Sequence, residues 1–202
     1  RINDFFAPYI SYSTSFMPVT DTGANSTLLD PEEGKQTEVG MKFQGLDQRL
    51  QGYIAYYDLT RRNVTENDST LGYSIQTGEQ QTKGYEAELS AALSNQWHVS
   101  AAYSYIPTAE VTESLTSSEI GKRINHVPKN AASLSSQYYF SPDKLGWNMG
   151  AGVRLQGERT AQRGTYSVRM PSYTLFDVNA GYDAQRWGMG LSIKNLFDKD
   201  YI

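Results

Sequence analysis

Apolar and polar side chains alternate at every second residue in segment after segment of this chain, and that period of two restricts it to extended structure more firmly than any other feature. Thr37, Val39, Met41 and Phe43 alternate with Glu38, Gly40, Lys42 and Gln44. Tyr53, Ala55, Tyr57 and Leu59 fall on one face of the next run, with Asp58 and Thr60 on the other. Tyr85, Ala87, Leu89, Ala91 and Leu93 oppose Gly84, Glu86, Glu88, Ser90 and Ala92. Trp97, Val99, Ala101, Tyr103 and Tyr105 oppose His98, Ser100, Ala102 and Ser104. The pattern continues through Ala132–Phe140, Trp147–Leu155, Phe176–Tyr182 and Trp187–Ile193. With a first run from Phe5 to Phe16, it predicts about nine strands, and no comparable segment carries the 3.6-residue period of a helix.

The connections narrow the class. Gly45–Gln48, Ser94–Gln96, Ser141–Gly146 and Asp183–Arg186 read as short turns, whereas 19–34, 61–73, 107–127 and 157–171 read as long polar links. Alternation of short and long connections is the plan of an up-and-down outer-membrane barrel, with short periplasmic turns and long extracellular loops. A soluble sandwich has no reason to gather its long loops at one end. The predicted fold is therefore all-β: a transmembrane up-and-down antiparallel β-barrel, to which this chain contributes about nine strands.

Composition agrees with strands that are apolar on one side only. The chain of 202 residues has 15 Tyr, 7 Phe and 3 Trp yet is polar on average. Tyr85, Trp97, Tyr138, Phe140, Trp147, Tyr182 and Trp187 fall near strand ends on the apolar side, where amphipathic rings settle at lipid headgroups. A formal charge of −4 argues against a nucleic-acid partner, which demands clustered Lys and Arg. The absence of cysteine excludes disulfides, thiolate metal sites and cysteine nucleophiles. No run approaches the roughly 18 apolar residues of a membrane helix, but barrel strands of about 9–11 residues leave no such signal.

Eight pieces in order carry a family resemblance. They are Ala7-Pro8-Tyr9-Ile10-Ser11-Tyr12-Ser13; the acidic stretch Leu29-Asp30-Pro31-Glu32-Glu33-Gly34 running into Thr37-Glu38-Val39-Gly40; Tyr56-Tyr57-Asp58-Leu59; and Gly78-Glu79. Lys83-Gly84-Tyr85-Glu86-Ala87-Glu88, Val127-Pro128-Lys129-Asn130, Met170-Pro171-Ser172-Tyr173 and Lys194-Asn195-Leu196-Phe197-Asp198 complete the set. The chain resembles the TonB-dependent siderophore receptors, and among them those for ferrichrome and other hydroxamate siderophores. The resemblance spans nearly all of the chain, which lacks the family's N-terminal plug with its TonB-contacting box and stops at Ile202, before the closing strand; it implies a barrel seen in part, about nine strands of roughly 22. Residues 1–202 are accordingly expected to be part of one barrel domain, unable to close a pore alone because an open edge leaves backbone groups that lipid cannot satisfy.

The resemblance implies a bacterial outer-membrane receptor for TonB-dependent uptake of a ferric siderophore, with no enzymatic activity and no cofactor. Its implied partners are the siderophore, TonB through the N-terminal region, and outer-membrane lipid with lipopolysaccharide. A passive porin shares the strand pattern and is the alternative. Of the loop residues, Tyr73, Arg163 and Tyr166 are the candidates for siderophore contact, since they set aromatic and polar groups in long connections. Arg159 and Arg169 flank the same loop and read as solvated. Glu32, Glu33 and Glu38 read as solvated carboxylates, because calcium needs several converging oxygens. His98 and His126 lack a second ligand at a suggestive spacing, so no metal site is expected. No nucleophile, base and orienting residue stand in a suggestive pattern, and catalysis has no support.

Overall fold

The computed structural model describes residues 5–68, 72–163 and 166–201. Nine strands form one antiparallel sheet: β1 (Phe6–Met17), β2 (Glu32–Gly45), β3 (Leu50–Asp68), β4 (Tyr73–Ala92), β5 (Trp97–Glu113), β6 (Asn130–Tyr139), β7 (Gly146–Gln156), β10 (Tyr173–Asp183) and β11 (Gly188–Ile193). They pair in chain order, except that β8 (Arg159–Arg163) and β9 (Tyr166–Met170) form a separate hairpin inserted between β7 and β10. The sheet is thus the expected meander, and the extra hairpin occupies what the sequence presents as loop 157–171.

Register carries the alternation from strand to strand. Ile10 opposes Val39, Val39 opposes Tyr56, Tyr56 opposes Tyr85, and Tyr85 opposes Tyr105. Further along, Ala101 opposes Leu134, Leu134 opposes Val153, and Val153 opposes Phe176. Directly opposed residues share a face, so these rows build one continuous apolar surface. Its residues are open: Leu134 is 47% exposed, Trp147 57% and Leu191 67%. A soluble protein rarely leaves so broad an apolar face to water. The opposite face carries Glu38, Glu86, Glu88, Ser100, Ser133, Gln137, Asn148 and Arg154, as the inner wall of a barrel does.

One strand reverses its expected phase. In β3 the register with β2 and β4 puts Ile54 and Tyr56 on the apolar face, leaving Tyr53, Ala55, Tyr57 and Leu59 inside. Segment 53–59 is apolar at both parities, so its own pattern cannot choose; its neighbours do. The inward placement is stabilised by close packing, for Ala55 and Tyr57 are buried. Tyr57 opposes Gly84 and its ring lies across it, so a Cβ there would stand 2.7 Å from the phenol oxygen. Tyr9 covers Gly40 in the same manner, 2.6 Å from the place of a Cβ. Gly84 and Gly40 are therefore needed for close approach, not for a turn.

The strands are unequal. β3, β4 and β5 have 19, 20 and 17 residues, against 10 and 11 for β6 and β7. About 9–11 residues cross a bilayer, so the three long strands continue well beyond it. The expected link 61–73 is thus largely strand, since β3 runs to Asp68 and β4 begins at Tyr73, and the link 107–127 is strand as far as Glu113, where β5 ends. Residues 69–71 and 164–165 of the expected links lie outside the described residues.

Candidate ligand-facing mouth and lumen

The end of the sheet away from the short turns is built by the overlong strands and the segments pinned to them. On the outward face the change is abrupt. The aromatic row Tyr56, Tyr85, Tyr105 has ring centroids 5.1 and 6.4 Å apart; one step beyond it come Thr37, Asp58, Lys83 and Thr108. Lys83 pairs with Asp58 at 3.2 Å and Gln81 donates to the same carboxylate at 3.0 Å. Hydrocarbon ends between those rows.

Above that boundary carboxylates organise the wall. Glu32, buried, accepts from Arg61 Nη2 at 2.5 Å and from the Thr65 amide at 3.3 Å. Glu79 accepts from Arg62 at 2.7 Å and from the Thr112 hydroxyl at 3.0 Å. Glu66 accepts from the Ser114 hydroxyl at 3.0 Å and the Leu115 amide at 3.2 Å, tying the β5–β6 connection to β3. Gln76 holds the β1–β2 connection: its amide oxygen accepts from the Asp30 N–H at 2.8 Å and its amide nitrogen donates to the Asp30 carbonyl. Asn63 adds a bond to the Pro31 carbonyl at 3.1 Å.

The β5–β6 connection is closed by a single guanidinium. Arg123 donates to the carbonyls of Ile106 at 2.8 Å, Val127 and Pro128 at 3.1 Å and Pro107 at 3.2 Å. Burial pulls its pKa below the ordinary arginine value, yet four carbonyl dipoles favour the cation that donates to them. The His126 amide then donates to the Thr160 carbonyl at 2.9 Å, joining this connection to the β8–β9 hairpin.

Of the expected contact residues, the fold brings two together. Arg163 and Tyr166 oppose each other in the last rung of the hairpin, and Tyr166 is 81% exposed. Tyr73 stands elsewhere, as the first residue of β4 opposite Asp68. At the hairpin's base Arg169 pairs with Glu158, and Arg159 lies 5.9 Å from the Tyr173 ring centroid, so both arginines bind neighbours besides meeting solvent. Glu32, Glu33 and Glu38 do not converge: Glu32 meets Arg61, Glu33 lies on the opposite face, and Glu38 accepts from the Tyr9 hydroxyl at 2.5 Å. His98 packs edge-on against Tyr139 at 6.0 Å, far in the sheet from His126.

Sequence reasoning missed the inner cluster of Tyr9, Tyr53, Glu38, Glu86 and Glu88. Lys42 lies 5.0 Å from the Tyr9 ring centroid, and Gln36 donates to Glu38 at 3.1 Å. Neither the Glu86 nor the Glu88 carboxylate makes a hydrogen bond or ion pair with another described residue, so this wall presents acceptors and aromatic faces to whatever fills the lumen. Gly84 so close to Glu86 was the available signal, but only the register shows that Tyr57 fills the space above it.

Residues 1–196 match the family model described as TonB dependent receptor-like, beta-barrel. The chain belongs to the TonB-dependent receptors. The metal-pseudopaline receptor CntO of Pseudomonas aeruginosa is 35% identical to it over 96% of this chain and 27% of its own length. The ferrichrome outer membrane transporter/phage receptor of Escherichia coli K12 is also 35% identical, over 96% of this chain and 26% of its own. A solved P. aeruginosa FpvA complex with iron and a heterologous pyoverdine superposes with a TM-score of 0.78 at 27% identity, over all of this chain and 28% of that one. This receptor chain thus spans about a quarter of the length of the curated relatives it matches. Family members are outer-membrane β-barrels, which places the apolar face in lipid; the matched relatives are receptors and transporters, not enzymes.

Proposed function

We propose that the intact receptor takes up a ferric siderophore of hydroxamate type across the outer membrane, using energy relayed by TonB through a region outside this chain. The observation that carries the reading is the 35% identity to the ferrichrome transporter sustained over 96% of the chain. The nine strands supply part of one barrel wall. β1 and β11 each have a side without a partner among the described residues, and in lipid such edges require neighbouring strands. Recognition falls to the mouth, where Tyr73, Arg163 and Tyr166 are the contact candidates from this part of the receptor. The siderophore satisfies the iron, so the protein contributes no iron ligand and no cofactor. Outer-membrane lipid and lipopolysaccharide surround the barrel, and nucleic acid has no role.

Radio-iron uptake by a receptor-deficient strain carrying the full-length receptor tests this, with ferrichrome and ferrioxamine supplied separately and a TonB-deficient strain as control. Uptake that depends on both receptor and TonB supports the proposal. TonB-independent leakage would instead mark a passive porin. Transport of a metal–pseudopaline complex but of neither hydroxamate would favour the second reading, which rests on the equal identity to CntO. In Tyr73→Ala and Tyr166→Ala, affinity for the ferric siderophore should fall; unchanged affinity in both would remove these residues from the site.

A further inference from the structure

A barrel exterior is convex, yet the lipid face here contains a hollow of about 600 Å³ with an almost wholly apolar lining. Two successive cross-strand rows make it. Ser136, Ala151 and Ala180 are small and form the floor, while Trp97, Met149 and Leu191 stand up around them. The Trp97 indole N–H donates to the Ser136 hydroxyl at 2.8 Å. An indole satisfied in this way has no need to reach for headgroups, so it is held as a wall of the hollow. In a membrane only hydrocarbon is available to fill such a space, and leaving it empty forfeits dispersion contacts along its whole lining.

Position selects the leaflet. Trp97 begins β5 directly after a short turn, which sets the hollow in the periplasmic half of the wall. Toward the turns the lipid face carries the rings of Trp147, Tyr182 and Trp187, with neighbouring centroids 5.3 and 5.6 Å apart. Arg186, exposed on the turn that leads into β11, makes no hydrogen bond or ion pair with another described residue. Its charge complements a phosphate, and the aromatic cluster lies between it and the hollow.

We propose that this hollow holds one acyl chain of a periplasmic-leaflet phospholipid as a resident lipid, with its phosphate at Arg186. The inference rests on the outer-membrane location and is independent of the transported ligand. Native mass spectrometry of the full-length receptor, extracted from outer membranes in mild detergent, reads it directly. The wild type should retain one phospholipid per barrel. Ala180→Trp, which fills the hollow, should reduce that retention severalfold, and Arg186→Gln should reduce it by a smaller factor. Ala87→Trp, on the lipid face but outside the hollow, should leave it unchanged. Heat-modifiable migration on semi-native gels establishes that each variant is folded. Retention undiminished in folded Ala180→Trp, equal loss in Ala87→Trp, or a retained fatty acid or lipopolysaccharide in place of phospholipid would each overturn the proposal.

Discussion

The two faces of these nine strands share every backbone hydrogen bond and differ in almost everything else. Outward, side chains such as Val39, Leu134 and Met189 are exposed and need no polar partner, because lipid is their solvent. Inward, side chains find each other. Asn179 donates to Gln137 at 3.1 Å, Gln137 to Asn148 at 2.8 Å and Asn148 to Asp183 at 2.7 Å, a chain of polar groups across β6, β7 and β10. Arg154 pairs with Asp177 at 3.1 Å nearby. One face is fixed mainly by transfer free energy, with a few local contacts such as the Trp97–Ser136 hydrogen bond added to it. The other is fixed by shape and hydrogen-bond geometry, and is sensitive to single atoms.

The sharpest way to break that contrast is a charge. Arg at Leu134 or Val153 should destabilise folding into bilayers by about 2–4 kcal/mol near the midplane, while Arg at Ser133, one residue along and facing inward, should cost much less. Urea titrations of refolding into vesicles would measure both; equal penalties would mean that the faces are not distinct. A smaller effect tests steric sensitivity inside: Gly84→Ala drives a methyl against the Tyr57 ring and should cost about 1–3 kcal/mol. Restored stability in the double variant with Tyr57→Ala would identify that contact as the cause. Next, Asn148→Ala removes both an acceptor and a donor from the inward chain and should cost about 1 kcal/mol in the same titration. No loss there would show that water replaces the amide fully.

The smallest effect lies at the periplasmic rim. In the β6–β7 turn the Ser141 hydroxyl and the Leu145 amide donate to Asp143 at 2.6 and 3.0 Å, and hold its carboxyl below the usual range. A depressed folded pKa means stabilisation that is present above the unfolded value of about 3.9 and lost as pH falls through the lower folded value. The Leu145 amide resonance should therefore titrate with a midpoint below about 3.9; a midpoint at or above it would remove the turn's capping role.

Much of this was legible in the residues themselves. Within lipid one side of a strand is apolar and the other wet, so hydropathy alternates, and Tyr85–Leu93, Trp97–Tyr105 and Trp147–Leu155 announce both strand and face. Short turns such as Ser141–Gly146 are equally plain, because polar turn residues interrupt the pattern. Beyond the bilayer the signal vanishes for a physical reason: both faces of β3, β4 and β5 meet water there, hydropathy no longer alternates, and extended backbone reads as loop. The phase of β3 was likewise undetermined locally, since Tyr53, Ile54, Ala55 and Tyr56 are apolar at both parities. Only pairing with Val39 and Tyr85 turned Tyr56 to lipid and Tyr57 onto Gly84. Of the candidate site, the aromatic and basic character of Arg163 and Tyr166 was visible, but their pairing in a hairpin was not. The sequence by itself determined the class of structure and the solvent on each side, because those follow from local periodicity. Tertiary structure alone decided the register, the inner tyrosine cluster and the ties of Gln76 and Arg123, because each depends on residues brought close by strands or connections that local pattern does not align.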